Sequence, residues 1–207
     1  MSQILRIHPD NPQLRLVRNA ADVLSNGGVV VYPTDSCYAL GCQLGNKAAL
    51  ERIRRLRRSE RDHEFTLVCR DLAEIALYAR VDNAAYRILR SLTPGPYAFI
   101  LRATSEVPKR LQDPKRRSIG IRVPDHAIVS ALLEATGEPL MSSTLLLPDD
   151  DVPLTDPEGI YERLRGQVEV IIDAGVCGIE PTTVLDLSDG AMEVIRYGKG
   201  ELRGFER

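Results

Sequence analysis

Two clusters of basic side chains give the sequence its clearest chemical signal. Six arginines fall within ten consecutive positions, and five further basic residues fall within nine positions beside two prolines. Guanidinium groups bind phosphates and carboxylates well, so two such clusters side by side would suit a phosphate backbone. A solvated helix face and a solvated loop are the alternative interpretations. The clusters are Arg52, Arg54, Arg55, Arg57, Arg58 and Arg61, and Lys109, Arg110, Lys115, Arg116 and Arg117.

Arg57 differs from its neighbours in the first cluster. On a helix with 100° per residue it falls beside Leu50, at the edge of the apolar face. From there an arginine extends along apolar surface and places its charged head in a cleft. Arg57 is therefore a candidate ligand for phosphate or carboxylate, whereas we expect Arg54, Arg55 and Arg58 on the exposed side of the helix.

Hydroxyl side chains recur where the predicted strands end. In open α/β sheets, ligands bind beyond the carboxyl ends of the strands, where hydroxyls and backbone amides can hold phosphate or carboxylate oxygens. Hydroxyls that are satisfied locally in turns are the alternative. The three groups are Thr34 with Ser36, Ser142 with Ser143 and Thr144, and Thr182 with Thr183.

The composition excludes several classes of protein. The 207 residues carry 27 basic and 29 acidic side chains, so the net charge of -2 excludes a uniformly cationic nucleic-acid binder but not a local basic patch. The four cysteines lack the spacing of a zinc site and are typical of free thiols in a reducing compartment. We find no secretory signal, no membrane span, no metal motif and nothing that indicates a protein partner. A cytoplasmic location is expected.

Helical and strand patterns alternate along the chain. Asn11 and Pro12 predict the start of a first helix, Asp71 and Asp82 predict the N-caps of two more, and His126 has the position of a helix-start residue. Strands are predicted at 29–32, 65–69, 97–101, 118–123, 139–145, 168–172, 183–187 and 192–196, and further helices at 47–58 and 157–165. This order indicates an α/β or α+β fold, with one domain over residues 1–207 built on a mixed sheet.

Six motifs, taken in order, resemble the YrdC/YciO family, and most closely its YciO branch, over nearly the whole chain. They are Tyr32–Ser36 with Gly41 and Cys42, Thr93–Pro96, Ile119–His126, Gly137–Ser143, Pro181–Asp186 and Ile195–Gly198. The resemblance implies a single YrdC-like domain, in which a twisted, open mixed sheet has flanking helices and a concave, positively charged face. It also implies double-stranded RNA or tRNA as a partner.

The enzymatic members of that family make threonylcarbamoyl-adenylate from threonine, bicarbonate and ATP with magnesium, for the threonylcarbamoyladenosine modification of tRNA. Their pocket uses a Lys-x-Arg and a Ser-x-Asn motif. Here the Lys-x-Arg motif falls on Arg57 and Ser59, so the first charge is kept and the second is lost. The Ser-x-Asn motif falls on Thr144 and Leu146, so the hydroxyl is kept and the amide is lost. The resemblance carries over, as pocket residues, Thr34, Arg57, Ser59, Arg122, Ser142, Thr144, Thr182, Thr183 and Arg196.

Three functions follow from these observations. The favoured one is an RNA-binding protein of the YciO branch with a nucleotide-type pocket. The second is a working threonylcarbamoyl-adenylate synthase, whether fast or slow, and the third is an enzyme that acts on another adenylate or acyl phosphate through the same pocket. The changes at positions 59 and 146 separate the first from the second, because loss of one positioned donor costs on the order of 10²–10³ in rate. Few aromatic side chains are available for stacking on unpaired bases, so structured RNA is the expected target.

Overall fold

The computed structural model describes residues 2–58, 65–202 and 204, whose strands join in one mixed sheet. The strands are β1 Gln3–Arg6, β2 Val30–Tyr32, β3 Ala39–Gln43, β4 Thr66–Val68, β5 Tyr97–Arg102, β6 Ser118–Arg122, β7 Leu140–Thr144, β8 Val170–Asp173, β9 Thr183–Asp186 and β10 Glu193–Arg196. The helices are α1 Leu14–Ser25, α2 Lys47–Arg57, α3 Leu72–Tyr78, α4 Asn83–Leu92, α5 Ala127–Thr136 and α6 Pro157–Leu164. A short 3-10 helix covers Lys109–Leu111.

The strand order across the sheet is β1-β8-β2-β3-β7-β4-β6-β5-β9-β10. The sheet contains both parallel pairs, such as β4 with β6, and antiparallel pairs, such as β3 with β7. All eight strands predicted from the sequence lie in this sheet, and the chain forms a mixed α/β single domain. The predicted fold class is therefore confirmed.

Helices cover both faces of the sheet, because side chains along each strand alternate between two apolar cores. One core joins α1 and α5 to residues such as Tyr32 and Leu140. The other joins α2, α3, α4 and α6 to their chain neighbours, such as Val31 and Met141. We call the side of the sheet that packs on α1 and α5 the α1/α5 face, and the opposite side the α2 face. The assignment decides on which side of the sheet each candidate functional side chain lies.

The helix caps agree with most of the sequence signals. The carboxylates of Asp71 and Asp82 cap α3 and α4, and His126 caps α5. The predicted start of the first helix is wrong. The backbone N–H of Asn11 donates to the ring Nδ1 of His8, 3.2 Å away, so Asn11 belongs to a preceding turn and α1 begins only at Leu14. Over the described ranges, no helix combines the length and the apolarity that crossing a membrane requires.

Two strands, β1 and β3, were not predicted. Strand β1 has four residues, of which only Leu5 is buried. This segment is too short and too polar to be recognised as a strand from the sequence. Strand β3 contains Gly41, a residue type depleted in strands. Pairing with β2 on one side and β7 on the other, rather than local preference, makes this segment a strand.

Candidate anion site at the end of β2

The turn after β2 is organised by one hydroxyl. The Thr34 Oγ1 accepts the backbone N–H groups of Ser36 and Cys37, each at 3.2 Å, and donates to the Cys37 carbonyl at 2.6 Å. The Ser36 hydroxyl lies 3.1 Å from the same oxygen. Because its hydroxyl is engaged in this way, Thr34 shapes the turn, while Asp35 and Ser36 present their side chains to other segments.

Arg122 meets this turn from β6. Its guanidinium pairs with the Asp35 carboxylate, and both side chains are almost fully buried. Its Nη1 also lies 3.4 Å from the Ser36 hydroxyl. The Nε of Arg122 is buried and has no hydrogen-bond partner within the described part of the chain. Arg122 therefore keeps one unsatisfied donor inside the fold, beside its ion pair with Asp35.

Two further cations approach from the end of the chain. The Lys199 Nζ donates to the Asp35 carbonyl at 2.5 Å, and the Arg196 Nη2 donates to the carbonyl and hydroxyl of Thr182 at 2.9 and 3.2 Å. Arg196 is exposed by its accessible surface, and partial desolvation lowers the pKa of its guanidinium. The sequence interpretation missed Lys199, although the flanking glycines Gly198 and Gly200 were a possible signal of a tight turn.

Thr183 serves the architecture of this turn. Its hydroxyl donates to the Gly200 carbonyl at 2.7 Å and accepts the Gly198 N–H at 3.0 Å, and its side chain is fully buried. A Cβ at Gly198 would overlap the Pro181 carbonyl, so glycine is required there. Thr183 thus fixes the segment that carries Arg196 and Lys199.

The thiol of Cys37 shows how closely these cations gather. Burial raises its pKa, while the positive charges of Arg122, Lys199 and Arg196 act in the opposite direction. Three cations thus act electrostatically on one side chain, and one of them, Arg122, pairs with Asp35. We call this group the Arg122 cluster: Arg122, Arg196, Lys199, Asp35 and Cys37, with the hydroxyls of Thr34, Ser36 and Thr182. Within the described ranges, no three His, Cys, Asp or Glu side chains gather as a metal site.

Ser142 and Thr144 lie on the α1/α5 face of β7, the face on which strand alternation also places Arg122. The hydroxyl of Tyr32 donates to that of Ser142 at 2.6 Å. The Tyr32 ring reaches Ser142 by passing over Gly41, where a Cβ would stand 2.6 Å from the ring. Burial raises the pKa of Tyr32 to about 12, so its hydroxyl stays a donor.

Arg57 approaches β7 from the α2 face. Its Nη1 donates to the hydroxyl of Ser143, whose side chain points away from that of Ser142, and its Nε donates to the Leu146 carbonyl at 3.2 Å. The side chain is half-buried, as its position on the helix predicted, and burial lowers the pKa of the guanidinium. The contacts described place Arg57 at the end of β7. Ser59, the other half of that motif, lies outside the described residues.

The arginines of α2 and of its C-cap differ in pairing and exposure. Arg52 pairs with Glu169 at 2.9 Å, Arg58 is exposed and pairs with Asp149 at 3.5 Å, and Arg55 is exposed. The expected exposure of Arg54 is wrong. Its side chain is only 21% exposed, because it pairs with Glu51 at 2.5 Å and stacks over the Phe65 ring at 5.5 Å. Arg61 lies outside the described residues.

The second basic cluster lies near the other end of α2. The Arg110 Nη2 donates to the Gly45 carbonyl at 2.6 Å, just before α2 begins. Arg116 pairs with the buried Asp186 at 2.7 Å, and Lys109, Lys115 and Arg117 are exposed. An 11-residue helix spans about 16 Å, so the two clusters border opposite ends of one helix.

Known proteins share this architecture. The model of the Sua5/YciO/YrdC family, which carries the description Telomere recombination, matches residues 22–198. The YciO protein of Escherichia coli strain K12 is 52% identical over 205 residues, which cover 99% of this chain and 100% of YciO. The crystal structure of that protein matches with a TM-score of 0.94 and covers 98% of each chain.

Two more distant structures share the fold. Sua5 from P. abyssi, solved in complex with L-threonine, gives a TM-score of 0.87 at 22% identity and covers 95% of this chain and 58% of Sua5. Full-length HypF in its phosphate- and nucleotide-bound form gives a TM-score of 0.75 at 19% identity and covers 88% of this chain and 29% of HypF.

Proposed function

The chain belongs to the Sua5/YciO/YrdC family, and from this membership we propose that it is an RNA-binding protein that also holds a nucleotide in the Arg122 cluster. One observation carries the nucleotide part: Arg122 and Lys199 both contact Asp35, Arg196 contacts Thr182, and Asp35 is the one carboxylate described in contact with these cations. The group therefore keeps a net positive charge. Phosphates of a nucleotide such as ATP, with its magnesium ion, are ligands of the matching charge.

The hydrogen-bonding groups of the cluster support the same ligand. The Nε of Arg122 is a buried donor without a described partner, and the Ser36 hydroxyl lies beside the same guanidinium. Donors of this kind match the oxygens of a phosphate. Arg196 ends β10 and Lys199 follows three residues later, so a second phosphate would meet both cations.

The ligands of the distant relatives fit this chemistry. Sua5 was solved with L-threonine, and HypF with phosphate and nucleotide. Both ligand classes carry an anionic group that a cluster of arginine and lysine would bind. We therefore include threonine, through its carboxylate, with ATP among the candidate small molecules for this chain.

Calorimetric titration with ATP and magnesium tests the nucleotide site. We expect Arg196→Ala and Lys199→Ala each to weaken binding by about 10- to 100-fold, because a hydrogen bond to a charged group contributes about 1.5–3 kcal/mol. Arg18→Ala, on the exposed side of α1, is the matched control and should leave the affinity unchanged. Equal affinities for all four proteins would contradict the proposal, as would the absence of binding in the wild type.

The exposed cations support the RNA part of the proposal. Arg55, Arg58, Lys109, Lys115 and Arg117 all present their side chains to solvent. Cations on an irregular surface contact phosphates without reading bases, which suits double-stranded RNA or tRNA. Binding to such RNA should therefore depend strongly on salt.

Threonylcarbamoyl-adenylate synthesis is the second candidate, favoured by the position of Arg57. It stands where the related enzymes carry a lysine, and it contacts the β7 segment that corresponds to their Ser-x-Asn motif. Leu146 supplies only its backbone carbonyl to that contact, so we expect a slow reaction. Pyrophosphate release that requires threonine and bicarbonate would favour the synthase. Release that requires neither would favour an enzyme acting on another adenylate or acyl phosphate.

A further inference from the structure

A groove of about 660 Å³ lies between α2 and α6. Its apolar floor includes Leu56 and Leu164, and four arginines stand around it, three from the end of α2 and one from α6. They are Arg52, Arg55, Arg58 and Arg163. Since α2 and α6 both cover the α2 face, the sheet separates this groove from the α1/α5 face, on which Arg122 lies.

The four arginines differ in their partners. Arg52 is held by Glu169. Arg55 is exposed and has no carboxylate partner among the described residues. Arg58 pairs with Asp149 at 3.5 Å, and the Nη1 of Arg163 donates to both carboxylate oxygens of Asp150 at 2.8 and 2.7 Å. The neighbouring residues Asp149 and Asp150 thus each form an ion pair with one arginine, on the α2 side and the α6 side of the groove respectively.

The ion pair between Arg58 and Asp149 is weak enough for another anion to replace Asp149. Its side chains are 74% and 88% exposed, and exposed ion pairs contribute little to stability. Both residues have positive φ angles, 43° and 70°, in the left-handed region. Glycine is the usual residue in the left-handed conformation at the end of a helix, so an arginine there carries a backbone cost.

We propose that the α2–α6 groove is a second phosphate-binding site, which takes backbone phosphates of RNA, and that Asp149 and Asp150 occupy Arg58 and Arg163 until RNA displaces them. The inference rests on the RNA-binding part of the proposed function and names the surface that carries it. Phosphate oxygens replace the aspartate oxygens on the two arginines, while Arg55 supplies a third cation. The acidic pair therefore sets the affinity of the groove.

Fluorescence anisotropy with a labelled duplex RNA at low salt tests this arrangement. Arg163→Ala should weaken binding about tenfold, as for loss of one charged hydrogen bond. Asp150→Asn should tighten binding about two- to fivefold, because it removes the carboxylate that competes with RNA phosphates for the partly exposed Arg163. The matched controls are Arg165→Ala, an exposed arginine beyond the end of α6, and Asp151→Asn, which removes the same charge without a described arginine partner.

The controls separate local competition from the general effect of charge. If Arg163→Ala equals Arg165→Ala, or Asp150→Asn equals Asp151→Asn, the groove is not the site and the inference is wrong. If the groove variants bind as the wild type does while Lys115→Ala and Arg117→Ala bind more weakly, only the groove is excluded and RNA binding stands. If the wild type binds no duplex RNA at low salt, the RNA part of the proposed function fails as well.

Discussion

Arg122 and Asp35 stand 87 positions apart in the chain, yet they form an ion pair in which each side chain is only 9% exposed. The second oxygen of Asp35 accepts the backbone N–H of Asp125 at 2.8 Å. One carboxylate therefore joins the turn after β2 to β6 and to the start of α5. The pair holds the cationic cluster in place and also supplies its only described carboxylate.

Removing the charge of Asp35 should cost more stability than a surface pair would. Asp35→Asn leaves the Arg122 guanidinium buried without a counter-charge, and breaking a buried pair in this way costs about 3–5 kcal/mol. The measurement is urea unfolding. Asp173→Asn, which breaks the exposed pair with Arg6, is the comparison and should cost less than about 1 kcal/mol. Equal losses for the two variants would show that Asp35 does not stabilise Arg122.

Gly41 should resist substitution because of the ring that crosses it. In Gly41→Ala the new Cβ would stand 2.6 Å from the Tyr32 ring, whereas in Gly120→Ala the nearest atom would be 3.4 Å away. Overpacking of this kind costs about 1–3 kcal/mol, so Gly41→Ala should lower the free energy of unfolding by that amount and Gly120→Ala by less. Thermal unfolding of both variants checks this order. A smaller loss for Gly41→Ala would mean that the ring moves aside freely.

The cap of α5 should make stability depend on pH. Burial lowers the pKa of His126, against the opposing charges of Asp35, Asp10 and Asp125. The folded state therefore favours the neutral ring, whose Nδ1 accepts the Ile128 N–H at 3.3 Å. Since the unfolded chain binds the proton more readily, stability is highest above pH about 6.5 and falls as the pH drops below it.

The asparagine variant isolates this effect, because asparagine caps a helix without titrating in this range. The difference in unfolding free energy between wild type and His126→Asn should shift in favour of the variant as the pH falls from about 7 to 5. A difference that stays constant over that range would show that His126 titrates alike in both states.

The salt dependence of RNA binding should distinguish the arginines of α2. Arg55→Ala and Arg58→Ala should each reduce the log–log slope by roughly one, because each loses one phosphate contact. Arg54→Ala should leave the slope nearly unchanged, because the Arg54 guanidinium already pairs with Glu51 and stacks on the Phe65 ring. A wild-type slope near zero would reduce the cluster to a solvated helix face.

Synthase activity should respond to the two altered motif positions. Because position 146 is apolar and position 59 is serine, we expect a rate with threonine, bicarbonate and ATP far below that of motif-intact relatives. Ser59→Arg together with Leu146→Asn should raise pyrophosphate release. A wild-type rate equal to that of those relatives would show that Arg57 and its neighbours compensate fully.

The sequence by itself determined the local elements and much of the chemistry. Apolar runs, the capping aspartates Asp71 and Asp82, and the basic and hydroxyl-rich segments depend only on nearby residues, so they can be recognised without the fold. The fold class followed from their order. The family motifs pointed to Thr34, Arg122, Thr182 and other residues as pocket candidates.

Only the tertiary structure decided which side chains meet. Strand β3 exists because β2 and β7 pair with it, and Lys199 joins the cluster because the turn at 198–200 folds back onto Thr183. Arg54 is covered because Phe65 lies beneath it. These outcomes depend on contacts between residues far apart in the chain, and such contacts form only when the whole sheet closes and fixes which face each side chain occupies.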